Sequence, residues 1–168
     1  MQKLYFIILI LTINYEGISQ SLLWATYFGG TGDDNSFVSN SVCTDNSGNV
    51  YMSGQTSSTA NIATGGFQNT HGGGTNDAFL VKFNSAGTFQ WATYYGSAGE
   101  DSGWGVSVDA SGNVYMSGST SSTVSISTLG SHQNAYGGGT DDAFLVKFDA
   151  NGNRLWATYY GGSLSEGG

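Results

Sequence analysis

The chain has 168 residues, enough for one ordinary domain, with 10% charged residues, 14% aromatics, 27 glycines and no proline. Twelve acidic residues against four basic ones give a formal net charge of -8. Lys3, Lys82, Lys147 and Arg154 supply no basic footprint for nucleic acid or for an anionic membrane surface. Low charge with many Gly, Ser, Thr and aromatic residues excludes a disordered chain and disfavours helices, and it suits short strands joined by tight turns.

The first segment, "MQKLYFIILILTINYEGISQS", has a positive start at Lys3 and an apolar run over 4–13 broken only by Thr12. Small residues follow at Gly17, Ser19 and Ser21. This three-part pattern is that of a secretory signal peptide over residues 1–20, cut between Ile18 and Leu22. A membrane-spanning helix would need about 20 apolar residues. The remainder, 21–168, is then expected outside the cell or at its surface, with no membrane insertion after cleavage. Cys43 is the one cysteine, so no internal disulfide forms, and the second copy has Ser107 in its place.

After the leader the chain repeats itself. "WATY" stands at 24–27, 91–94 and 156–159, "GNVYMSG" at 48–54 and 112–118, and "TSST" at 56–59 and 120–123. "GGGT" stands at 72–75 and 137–140, and "DAFLVKF" at 77–83 and 142–148. A period of about 65 residues marks a repeat architecture. The second copy shows four strand candidates: A at 105–109, B at 113–120, C at 143–149 and D at 154–161. "DASGN" between A and B and "DANGN" between C and D make tight hairpins. The first copy is three residues longer around strand A.

Each copy is therefore expected to be one four-stranded antiparallel sheet, blade one over about 37–95 and blade two over about 105–161. A third repeat starts at 156–168, and "SLLWATYFGG" is an extra leading D strand. Strand C carries Phe144, Val146 and Phe148 on one face and Ala143, Leu145 and Lys147 on the other. Both faces are largely apolar, so both need cover from neighbouring copies. Radially stacked sheets of this kind form a β-propeller, typically with four to eight blades. The fold class is all-β, of the β-propeller repeat type. Because two blades cannot close a ring, the chain reads as a fragment of a larger propeller, with oligomerisation of two-blade units as the alternative.

The string running from "WATYYGSAGEDSGWGVSVDASGNVYMSGSTSST" to "GGGTDDAFLVKFDANGN" resembles the bacterial beta-propeller repeat family, the SBBP repeats, and the likeness covers 22–168. The resemblance implies an extracellular or cell-surface propeller within a larger protein, and it implies no agreed activity and no catalytic residues.

Candidate sites are few. The crossovers from strand D to the next strand A carry carboxylate pairs, Asp33/Asp34 and Glu100/Asp101, on the rim that also holds the long B–C loops. Such oxygen pairs could hold Ca²⁺, although Asp beside Gly also caps turns through its own side chain. "DASGN" lacks the spacing and terminal Glu of a calcium loop, and "GGGT" lacks the Lys and following helix of a phosphate loop. Asp77 and Asp142 are expected to cap the start of strand C. His71 aligns with Tyr136 and His132 with Phe67, so neither histidine repeats and no triad or zinc cluster emerges. Lys82 and Lys147 are expected to lie between blades rather than act as bases. The expected function is a structural or binding module without catalysis of its own. Its partners would be an extracellular protein or glycan, further blades in the same chain, or other copies. The alternative is a fragment of a propeller enzyme acting on extracellular polysaccharide, with its active site in other blades.

Overall fold

The structure, a computed structural model, describes residues 22–36 and 40–164. The expected signal peptide and the end of the third repeat lie outside the described residues. Nine strands form two antiparallel sheets, with no helix among the described residues. The first sheet holds β1 (Asp34–Asn35), β2 (Val42–Thr44), β3 (Val50–Thr56), β4 (Asp77–Phe83) and β5 (Phe89–Tyr95); β1 and β2 both pair with β3. The second holds β6 (Asp101–Val108), β7 (Val114–Thr120), β8 (Asp142–Phe148) and β9 (Arg154–Tyr160) in sequential order. These are the A–B–C–D meanders that the repeat implies, and they are open sheets.

Two elements differ from the sequence-based expectation. Strand A of blade two starts at Asp101, not at 105. Asp101, Ser102 and Gly103 pair through their backbones with Thr120, Ser119 and Gly118, and a bulge at Trp104 separates them from the Val-bearing half. The polar half is held by side-chain bonds at the rim, which strand propensity does not register. In blade one the same strand is split into β1 and β2, and the three extra residues fall where blade two has its bulge. Just before β2 the Asn40 carbonyl accepts from the Val106 N–H of blade two at 3.0 Å. The leading segment, in turn, joins no ladder. Residues 22–33 lie along blade one, held by Trp24, by Phe28 against Phe79 and Phe83, and at their end by the Ser57 N–H, which donates to the Asp33 carbonyl at 2.9 Å.

Three of the four hairpins between A and B and between C and D are Asp-centred, and the β4–β5 hairpin uses Asn84 in the same way. The Asp109 carboxylate accepts from the backbone N–H groups of Ser111 and Asn113 and from the Asn113 amide, all at 2.8–2.9 Å. Asp45 and Asp149 repeat the pattern.

One apolar cluster lies between the blades: Tyr51, Leu80, Trp91 and Tyr95 of blade one against Val114, Met116, Ile126, Phe144 and Phe148 of blade two. A second cluster covers the front of blade one, where Phe79, Val81, Phe83 and Tyr94 meet Phe28 of the leading segment. The repeated heptapeptide shows what stacking does. Leu80, facing blade two, is 0% exposed, whereas its counterpart Leu145, on the outer face of blade two, is 37% exposed.

The blade contact has a repeated lock. Trp91 of β5 donates its Nε1–H to the Ala150 carbonyl (3.1 Å) in the β8–β9 hairpin and lies over Gly152. Trp24 of the leading segment does the same to the Ser85 carbonyl (3.1 Å) and Gly87 in the β4–β5 hairpin. Both glycines have positive φ, 83° and 76°, and a Cβ on either would come within 2.9 and 2.6 Å of the indole. Each hairpin is thus a socket that needs glycine for both backbone and space. Lys82 reaches the same Ala150 carbonyl (3.2 Å) and lies over Tyr51, between the blades as expected.

Candidate functional site

The rim is built from the D-to-A crossovers and the B–C loops, which lie against each other. A Cβ on Gly72 would meet the Gly96 carbonyl at 2.7 Å, and one on Gly137 would meet the Gly162 carbonyl at 2.6 Å. This contact gives the "GGGT" repeats their physical reason: two backbones pass too closely for side chains. Asp77 and Asp142 hold these loops at the start of strand C, as expected. Each Oδ2 accepts from a loop N–H, Gly72 or Gly137, at 2.6 Å, and from the amide of Gln68 or Gln133.

"TSST" latches the crossovers. In blade two Asp101 accepts from the hydroxyls of Thr120 and Ser122 and from the Ser97 N–H. Ser122 Oγ in turn accepts from the Gly99 N–H, and Ser121 Oγ from the Glu100 N–H. In blade one Asp34 accepts from Thr56, Ser58 and the Gly30 N–H, while Ser58 and Ser57 accept from Gly32 and Asp33. The motif was visible as a repeat in the sequence. Its partners were not, because they lie 19 to 26 residues away.

The two members of each expected Ca²⁺ pair are therefore in different environments. Asp101 is fully buried within β6 and engaged by two hydroxyls, whereas Glu100 is exposed. Asp34 is half-buried and engaged, whereas Asp33 is exposed. Burial raises the Asp101 carboxyl above its ordinary value against the bonds from Thr120, Ser97 and Ser122. Among the described residues no three His, Cys, Asp or Glu side chains gather as a metal-holding group. Glu100 Oε1 lies 3.4 Å from the Asn76 amide of blade one, and the Asp101 N–H donates to the Asn76 carbonyl, so this crossover also ties the two blades. Beside it opens a polar groove of about 600 Å³ lined by Glu100, Ser102, Ser119, Ser121, Thr140 and Asp141.

The remaining candidates have structural surroundings. His71 packs edge-on against Tyr94, as Tyr136 packs against Tyr159, and its Nδ1 accepts from the Gly73 N–H. Its Nε2 lies 4.0 Å from Asp77 Oδ1, and both atoms are buried without a hydrogen-bond partner. Burial pushes the Asp77 carboxyl up to about 6, and the nearby charge of Asp101 adds to the rise, against bonds and charge from Gly72, His71 and Gln68. His132 stacks on exposed Tyr160 at the outer face of blade two, far along the chain from His71. Cys43 sits half-buried in β2, its thiol pushed up by burial and then by Asp45. Lys147 lies over Tyr115, 3.7 Å from Asp109.

Comparison with known proteins agrees with this architecture. Over 89 residues, 53% of the chain, it is 32% identical to the regulatory protein FlaEY of Caulobacter vibrioides, and the match covers 9% of that protein. Residues 90–124 match the family described as a beta-propeller repeat, SBBP. That stretch runs from β5 of blade one through β7 of blade two, so the sequence unit straddles the blade boundary, and the chain carries an SBBP beta-propeller repeat.

Proposed function

We propose that this chain is an exported β-propeller repeat module with a structural or binding role and no catalysis of its own. The observation that carries the reading is the use of the repeated polar groups. The Asp34 and Asp101 latches, the Asp77 and Asp142 loop clamps and the Asp45, Asp109 and Asp149 turns all spend their carboxylates on shaping loops. Catalytic sites need several different groups converging in one cleft; here the turn carboxylates are spread over separate hairpins, and the one convergence, His71, Asp77 and Asp101 around Gly96, is buried behind the loops it holds. The rim groove beside Glu100 and Asp141 offers hydroxyls and two carboxylates, a surface suited to a hydroxyl-rich glycan or a basic segment of an extracellular protein. The leader's charge and apolar run support export.

The test has two arms. Mass spectrometry of the protein made by an expressing bacterium should find it outside the cytoplasm, beginning at a residue between 19 and 22; intact Met1 on a cytoplasmic product would count against export. Polysaccharide and ester substrates should give background turnover only. Turnover lost on His71→Ala or Glu100→Gln would support the enzyme reading instead.

A further inference from the structure

The tryptophan lock occurs twice with its socket and once without. Trp24 and Trp91 each sit in a hairpin socket; Trp156, the third in the series, has none among the described residues. It is nonetheless set in the same pose. Its ring lies 6.3 Å from Tyr115 at 66°, as the Trp91 ring lies 6.4 Å from Tyr51 at 59°. Trp91 is 5% exposed and Trp156 is 37% exposed; Tyr95, whose hydroxyl donates to the Ile126 carbonyl across the blade contact, is 1% exposed and its counterpart Tyr160 is 66% exposed. A groove of about 440 Å³ opens beside Trp156, with Leu129, Leu145 and Leu155 on its walls. The outer face of blade two therefore repeats, position by position, the face that blade one buries against blade two.

The matching socket is present at the other end of the same chain. Blade one has the Ser85 carbonyl, Gly87, Phe79 and Phe83 where blade two has the Ala150 carbonyl, Gly152, Phe144 and Phe148. That socket is held by Trp24 and Phe28 of the leading segment, which makes no strand ladder there and leaves Leu22, Leu23 and Tyr27 exposed. It covers only part of what a whole blade would cover. Ile62 and Ala63 line a groove of about 480 Å³ beside it.

We propose that Trp156 is the peg of a head-to-tail interface between copies of this chain, entering the Ser85–Gly87 socket of a second copy and displacing that copy's Trp24. The leading segment is then a removable plug. It fills the head socket within a lone chain, and blade-on-blade burial by the incoming copy replaces it. This goes beyond the proposed module function and does not depend on export or on the rim. A contact between unlike surfaces propagates, so association continues until a ring closes or a filament grows; a ring of four to eight blades takes about two to four copies.

Light scattering and sedimentation of the full chain over a range of concentrations test this. The wild type is expected to associate with concentration. Trp156→Ala should shift the midpoint at least tenfold upward while leaving the melting temperature of the monomer nearly unchanged, because that side chain is on the open face. Trp24→Ala should shift it at least tenfold downward by unplugging the socket. Gly87→Val closes the head, so Trp156→Ala and Gly87→Val chains should each be monomeric alone and form a 1:1 dimer, and nothing larger, when mixed. If Gly87→Val does not fold, the opposite shifts of the two tryptophan variants carry the test. Association undiminished in Trp156→Ala, or a Trp24→Ala chain that stays monomeric at every concentration, would overturn the proposal.

Discussion

Asp77 joins a carboxylate oxygen with two donors to one with none, and the pairing predicts a pH dependence. Burial raises the Asp77 and Asp101 carboxyls, so the folded state binds their protons more tightly than the unfolded chain does. That stability is fully present below the ordinary carboxylate value of about 4 and is lost as pH rises through the folded value, which for Asp77 is about 6. The turn carboxyls act oppositely. The Asn113 side chain and N–H hold Asp109 down at about 2, and at Asp45 and Asp149 burial is the largest single influence but is outweighed by the hydrogen bonds taken together, from Asn49, Tyr51 and Ser47 and from Asn153, Asn151 and Gly152. Their contribution is present above about 4 and is lost below it. The melting temperature should therefore rise from pH 7 toward mildly acidic pH and fall again under strong acid. Asp77→Asn should flatten the limb between about 4 and neutrality; an unchanged slope would remove Asp77 as its source. Gly152 supplies a second residue-scale test. Gly152→Ala should lower stability by about 1–3 kcal/mol through left-handed backbone and the Trp91 contact. Gly130 has nearly the same φ, 81°, and nothing within 4 Å of a Cβ, so Gly130→Ala should show only the backbone part, about 1 kcal/mol. Equal losses in denaturant melts would mean that the indole contact costs nothing. At this scale the sequence was partly legible. The capping of strand C by Asp77 and Asp142 was legible as Asp at the entry to a repeated strand. The orphaned oxygen of Asp77 and the donors to Asp101 depend on crossovers and loops brought together by the fold.

At the scale of strands, identical letters have different energies. Leu80→Ala in β4 should cost about 2–5 kcal/mol, since the side chain is fully enclosed. Leu145→Ala in β8, the same position of the same heptapeptide, should cost under about 1 kcal/mol in the lone chain. Comparable losses in chemical denaturation would mean that the outer face of blade two is covered in solution. Three of the four strands of blade two were legible to within a residue, because "NVYMSGST", "AFLVKFD" and "RLWATYYG" carry β-branched and aromatic residues between Asp/Asn/Gly turns. The polar half of β6 was not, since Asp101, Ser102 and Gly103 have no strand propensity and pair because β7 offers them a partner. The leading segment has strand letters and no ladder, for the converse reason: among the described residues no strand lies beside it to pair with.

For the molecule as a whole, the two blades share their largest apolar cluster, so they should unfold in a single transition, with calorimetric and van't Hoff enthalpies in agreement. Trp91→Ala should broaden or split that transition. Millimolar Ca²⁺ should leave the melting temperature in place, because each rim pair has one carboxylate already held by hydroxyls and only one facing outward. A rise of several degrees that Glu100→Gln removes would establish a cation site. The period of about 65 residues and the two apolar faces of strand C made the stacked-blade architecture readable. Burial at each face was not, since it depends on which neighbour is present.

The sequence unit and the blade are out of phase: the stretch over 90–124 begins on the last strand of one blade and carries the first two of the next. A full period of about 65 residues counted from that start thus brings Trp91, on the last strand of the preceding sheet, and, beyond 124, the Ala150–Gly152 hairpin that receives it. A gene that duplicates or excises one whole period anywhere in such an array leaves every junction chemically the same. An unequal crossover between copies changes the number of blades without requiring any compensating substitution. The lock that joins two blades is therefore also what makes their number easy to change.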